Sequence, residues 1–235
     1  MKRRIWELDA FRGICIIGVM IVHFVYDLVD LYKIIDWQYP EWFWFLKQWG
    51  GIVFLLLSGI CVTLGKQPVR RGLIVFGAGL VISLVTWGMY AFLNFGKGII
   101  IYFGVLHCLG VCMMLWPLVR KLPWWALLPI GLGLAGLGLH FQTLNVESPY
   151  LFPLGLITRQ FASSDFFPLL PHLGFFLLGT VLGKTLYRKK ESLLPKLDGK
   201  PVIGFFQWCG RQSLWIYLLH QPILNGICML IKMTK

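Results

Sequence analysis

The sequence predicts an all-α polytopic membrane protein: a bundle of about seven transmembrane helices in a single domain, residues 1–235, with a cytoplasmic N-terminus. Three observations carry this expectation. Of 235 residues, 57% are hydrophobic and 14% charged, with a mean hydropathy of +0.72. A soluble domain averages about 45–50% and about 25% respectively, so these few charges cannot cover a soluble surface. Apolar runs recur in blocks of about 20 residues, the length of a bilayer-crossing helix. The basic residues behind the net charge of +12 cluster between those blocks. There they act as topology signals rather than as a nucleic-acid footprint, and no nucleic-acid partner is expected.

The spans are expected at about 11–32, 41–64, 70–93, 99–119, 123–141, 166–187 and 205–231. The start imitates a signal peptide, but Arg12, His23 and Asp27 interrupt the apolar stretch and no small-residue cleavage site follows, so it is taken as a retained first span. Trp37, Tyr39, Trp42 and Trp44 mark an outer interface before the second span. Lys66, Arg70 and Arg71 separate the second from the third, and Arg120 with Lys121 closes the fourth. The fifth span contains Gly131, Gly133 and Gly136 in a GxGxxG arrangement. It follows no strand and lacks an acidic partner about 20 residues on, so close helix packing explains it better than a dinucleotide. The loop 142–165 is long enough to gate an outside-facing pocket.

Loop charges set the orientation. Lys2, Arg3, Arg4, Lys66, Arg70, Arg71, Arg120, Lys121, Lys184, Arg188, Lys189, Lys190, Lys196 and Lys200 fall on one side, fourteen against the five of Lys33, Lys97, Arg159, Lys232 and Lys235. Positive residues mark the cytoplasmic side, which puts the N-terminus inside a plasma (inner) membrane crossed several times. The six cysteines form no CxxC pair. Cys108 and Cys112, beside His107, are taken as small helix-packing residues, and no metal is expected.

Ionisable side chains inside spans are costly and mark function. The first span holds the densest set: Asp9, Arg12, His23, Asp27 and Asp30. Arg12 and His23 are eleven residues apart, which on a helix is about 1100°, close to three full turns, and a rise of about 16 Å. Both therefore point along one stripe. Asp27, one turn beyond His23, is placed to orient or charge-balance the imidazole. Such a histidine can take a proton from an acceptor hydroxyl or amine, and an arginine about 16 Å away can hold the phosphates of a large thioester. His107, His172 and His220 are expected about 8–20 Å below the outer surface, with His140 at the outer end of the fifth span. The inner half offers Arg12, Arg70, Arg71, Lys184 and Arg211, a basic mouth for an anionic cytoplasmic ligand. The same His23–Asp27 stripe also suits a proton relay in a small transporter or exporter, and a non-catalytic membrane subunit binding a lipid or partner helix is a third reading. Release of the thiol of a thioester donor separates transfer from both. Flux that depends on an ion gradient favours the transporter.

Leu8-Asp9-Ala10-Phe11-Arg12-Gly13, ten residues and then His23 resembles the signature of integral-membrane acyltransferases of family 3. Asp27-Leu28, Phe54 to Gly59, Phe103 to Gly110 and Pro168 to Pro171 are similar to bacterial relatives of the heparan-α-glucosaminide N-acetyltransferase catalytic domain. The closing Gly210-Arg211-Gln212-Ser213 with Tyr217, His220, Gln221 and Pro222 resembles the last helix of both groups, so the likeness covers nearly the whole chain. It implies transfer of an acetyl group from cytoplasmic acetyl-CoA to a carbohydrate acceptor at the outer side, through the lipid bilayer. His23 would act as general base or transient acyl carrier, oriented by Asp27. Arg12 and Arg211, with Arg70, Arg71 and Lys184, would serve acetyl-CoA. His107, His172, Ser213, Tyr217 and His220 would serve the acceptor. A homo-oligomer is compatible with the sequence.

Overall fold

The computed structural model describes residues 4–92, 96–195 and 200–234. Lys2, Arg3, Lys196 and Lys235 of the loop-charge pattern lie outside the described residues. Among those residues every regular element is helical: α1 (Trp6–Tyr26), α2 (Glu41–Leu64), α3 (Pro68–Phe92), α4 (Val105–Val119), α5 (Trp124–Phe141), α6 (Leu169–Thr185), α7 (Pro201–Arg211) and α8 (Ser213–Met233). Five are long and apolar enough to cross a bilayer: α1 with its extension to Leu31, α2, α3, α5 and α8. On α3, Leu73, Ile74, Leu80, Val81, Leu84 and Val85 all face outward, an exposed apolar face of the kind a bilayer covers.

The described chain divides into two compact units, Met1–Phe54 with Lys189–Lys235, and Leu55–Arg188. In the first, α1 packs against α7 and α8. In the second, α3 pairs with α4 and α5 with α6. Gly131 lies against the Gly174 carbonyl and Leu178, and Gly138 against Leu170 and Pro171, whereas Gly133 and Gly136 meet nothing within 4 Å. The GxGxxG run is thus a helix face, with its first glycine at the α5–α6 contact.

Three sequence-predicted spans need correction. The last, 205–231, is two helices: Gln212 leaves helical geometry at φ −95°, ψ 10°, and α7 is too short, at 11 residues, to cross a bilayer. Pro201 starts α7 with its fixed φ, and the weak helix formers Gly210 and Ser213 flank its end. The fourth span, 99–119, is helical only from Val105, giving 15 residues, and the sixth yields the 17 residues of α6. The extended stretch before α4 survives because side chains satisfy its backbone. Ser83 Oγ donates to the Ile101 carbonyl, Ile101 N–H donates to Thr86 Oγ1 and Ser164 Oγ donates to the Ile99 carbonyl. The loop 142–165 therefore ends by bracing this stretch, with Asp165 accepting from Val105 N–H.

In the first unit, α1 begins five residues earlier than expected, at Trp6. Trp6 Nε1 donates to the Leu194 carbonyl, and Glu7 accepts from Ser192 Oγ and Leu193 N–H. Its last turn, Asp27–Leu31, widens to π-helix, closed by Tyr32 N–H to the Asp27 carbonyl at 2.8 Å. α1 and α7 cross in antiparallel register, Gly13 against Phe206 and Gly210 against Asp9. A Cβ added at either glycine would collide with the facing backbone carbonyl. Gly210→Ala is expected to destabilise the purified protein by about 1–3 kcal/mol through overpacking. Gly204→Ala, at a position with open space, should be neutral or slightly stabilising by helix propensity. Thermal melting in detergent compares the two. Equal losses would show that the crossing is not what Gly210 protects.

Candidate active site

The crossing of α1 and α7 gathers arginines around a single acid. Asp9 is 8% exposed. Arg12 Nη1 lies 3.7 Å from its Oδ1, and Arg211 Nε at 3.7 Å and Arg4 Nε at 3.9 Å face its Oδ2. Asp9 Oδ2 accepts no hydrogen bond among the described residues. These are ion pairs held beyond hydrogen-bond reach, three cations on one carboxylate. The cluster carries excess positive charge with N–H forks suited to oxyanions. Arg211 Nη2 also donates to Gln207 Oε1 at 2.9 Å, which fixes its direction. The break at Gln212 makes this possible: it turns the chain so that the end of α7 meets the start of α1.

Further along α1 lies the histidine site. His23 meets His220 of α8 edge to face, ring centroids 5.0 Å apart. Tyr217, one turn earlier on α8, stacks obliquely on His220 at 5.2 Å, and its carbonyl receives His220 Nδ1 at 2.6 Å. Asp27 is fully buried, and both its oxygens accept from Gln221 Nε2 at 3.0 Å. The partner of Asp27 among the described residues is therefore Gln221. Asp27 keeps α register with His23, its N–H bonding to the His23 carbonyl, but its carboxylate turns to Gln221 on α8 rather than to the imidazole. Gln221 belongs to the closing motif but stood out by no charge of its own, so its role emerges only from the packing. Tyr32 Oη donates to Asn225 Oδ1 at 3.3 Å, so α1 and α8 run side by side in the same direction.

Above the histidines an aromatic box holds a cation. Lys47 Nζ lies 5.0 Å from the ring centre of Tyr26, 5.1 Å from Trp44 and 5.7 Å from Tyr39. Tyr39 Oη donates to Asp30 Oδ2 at 2.5 Å. Desolvation, together with that carboxylate, raises the Tyr39 phenol above its ordinary value. Ser213 opens α8 and is half-buried.

The remaining candidates belong to the second unit. His107 is the third residue of α4, and its Nδ1 accepts from Gly104 N–H at 3.2 Å, capping the helix. Its Nε2 faces Ser83 Oγ at 3.4 Å, and Gly79 makes room for the ring. His172 Nδ1 donates to the Pro168 carbonyl at 2.6 Å. Lys184 Nζ donates to the Arg120 and Leu122 carbonyls at 2.8 and 2.5 Å and lies over the Trp116 ring, closing the end of α4. Arg70 and Arg71 are exposed in the first turn of α3, where Arg70 donates to Gln67 at 3.4 Å.

No curated protein and no solved structure matches the chain. The family model described as "Heparan-alpha-glucosaminide N-acetyltransferase, catalytic" matches residues 4–222, which takes in the arginine cluster, both histidines and Gln221. Helices long and apolar enough to cross a membrane agree with that match. The chain belongs to the heparan-alpha-glucosaminide N-acetyltransferase catalytic-domain family, a family of membrane acetyltransferases.

Proposed function

We propose that this protein moves an acetyl group from cytoplasmic acetyl-CoA to a hydroxyl or amine of a sugar in an envelope or extracytoplasmic glycan, in the inner membrane. The observation that carries the reading is the arrangement along α1. A cluster of three arginines surrounds Asp9 at one end. The His23–His220 pair lies about 16 Å further along from Arg12. Arg12 and Arg211 hold the phosphates of CoA, while the thioester reaches toward His23. His23 takes the proton of the acceptor as its oxygen or nitrogen bonds to the acetyl carbonyl carbon. The carbon–sulfur bond breaks, and the proton passes to the departing thiolate, giving CoA thiol and the acetylated sugar. An aromatic collar of Tyr26, Tyr39 and Trp44 around Lys47 supports an outer mouth at headgroup depth.

Sealed membrane vesicles of both orientations test this with acetyl-CoA on one face and glucosamine or glucose on the other. CoA thiol release is expected only when acetyl-CoA meets the face carrying Arg188, Lys189 and Lys190. Release that depends on neither sugar, or that occurs from the opposite face, would sink the reading. Solute flux that follows a proton gradient without CoA release would replace it with the transporter.

A further inference from the structure

Two buried atoms at neighbouring positions of α8, one of them on the ring that meets His23, have lone pairs and no proton to bind. His220 is 5% exposed. Its Nδ1 lies 2.6 Å from the Tyr217 carbonyl oxygen. A carbonyl only accepts, so Nδ1 carries the proton, and Nε2 of the neutral ring is left as an acceptor. Gln221 is fixed in the same way. Its Nε2 reaches both oxygens of the fully buried Asp27 at 3.0 Å. A carboxylate only accepts, so the amide nitrogen must face Asp27 and Oε1 must face away. Among the described residues, neither His220 Nε2 nor Gln221 Oε1 has a hydrogen-bond partner, although both atoms are buried. Neighbouring positions of α8 thus present two acceptors and no donor. Each is held in that state by a second residue that can itself only accept.

We propose that His220 Nε2 and Gln221 Oε1 form the acceptor subsite, and that it selects a molecule presenting two neighbouring hydrogen-bond donors, an amine beside a hydroxyl or two vicinal hydroxyls. The proposal rests on the acetyl-transfer reading for the fate of that molecule and makes Gln221 its specificity-determining residue. A buried acceptor left unpaired carries its full desolvation penalty, and a ligand that brings protons removes it. A phosphate or carboxylate would instead set lone pair against lone pair beside Asp27. An ether or an alkyl chain would leave both atoms unpaired. The edge-on contact with His220 sets His23 beside the bound donors, where it can take one of their protons.

The test uses full-length protein in lipid nanodiscs with glucosamine, glucose and the mono-O-methyl ethers of each. Binding is followed by titration calorimetry and transfer by CoA release. Wild type is expected to bind at least one ether about 10-fold or more weakly than its parent sugar, the loss of one hydrogen bond to a buried acceptor. In Gln221→Leu that gap should close to within about two-fold, with the parent bound less tightly and the KM for acetyl-CoA unchanged. Parents and ethers bound alike by wild type, or no sugar bound at all, would overturn the subsite without recourse to any variant. A Gln221→Leu that weakens parent and ethers by one common factor would also overturn it, reducing Gln221 to a support for Asp27. Discrimination in binding without CoA release would keep the subsite and remove acetyl transfer. CoA release without discrimination would do the reverse.

Discussion

His23→Ala is expected to fold, insert and bind acetyl-CoA, yet to lose about 10²- to 10⁴-fold in kcat, the usual cost of removing a general base. An obligatory acyl carrier would cost more. The effect should fall on kcat because His23 lies well along α1 from the arginines proposed to hold the donor, so the KM for acetyl-CoA has no reason to move. His220→Ala is the informative companion. Its Nε2 is the other imidazole nitrogen at this site, with its tautomer held by Tyr217. If His220 serves the acceptor, its removal should raise the acceptor KM more than it lowers kcat. Should His23→Ala turn over near normally while His220→Ala abolishes transfer, the base is His220 and His23 is a packing neighbour. Asp27→Asn should cost less than either histidine, because Gln221 can still bond to the amide oxygen of the new side chain.

The sequence marks the ionisable stripe of α1 and the basic and histidine residues that the fold brings near it, and what it misses has physical causes. The helical period alone put Arg12 and His23 on one stripe, because both lie in the uninterrupted part of α1. Four residues later the period still holds, with the Asp27 N–H on the His23 carbonyl, yet the Asp27 carboxylate turns to Gln221. Periodicity fixes where a side chain starts, not which partner it takes, and Gln221 carries no charge to draw notice. The last span was mistaken for one helix because hydropathy runs straight through Gln212, while the reversal there depends on α7 crossing α1 at Gly13 and Gly210. That same reversal brings Arg211 to Asp9, the carboxylate that Arg12 also faces. His107 and Lys184 stood out as ionisable groups at membrane depth. Both are engaged with backbone at the two ends of α4, and the polar ends of a short helix are what a hydropathy profile smooths away.

Arg12→Ala should raise the KM for acetyl-CoA about 10- to 150-fold with little change in kcat. A charge-assisted hydrogen bond of this kind is worth roughly 1.5–3 kcal/mol, felt equally in ground and transition states because the phosphates are remote from the reacting carbonyl. Arg211→Ala should act in the same direction but less, since its side chain is 45% exposed against 22% for Arg12 and water screens it more. Arg4, at 66%, should matter least. The double variant should fall short of the product of the single effects. Both arginines share Asp9, and removing one frees that carboxylate to engage the other, so the two sites are coupled. Lys184→Ala provides the contrast, because its ammonium is already donated to the carbonyls ending α4. It should lower the melting temperature and leave the acetyl-CoA KM alone. Steady-state kinetics over acetyl-CoA at fixed acceptor, with melting curves for each variant, separate these outcomes. An unchanged acetyl-CoA KM in both Arg12→Ala and Arg211→Ala would move the donor phosphates away from the α1–α7 crossing. The Asp9 cluster would then be a structural clasp, holding two helix ends together where the glycines bring them into contact.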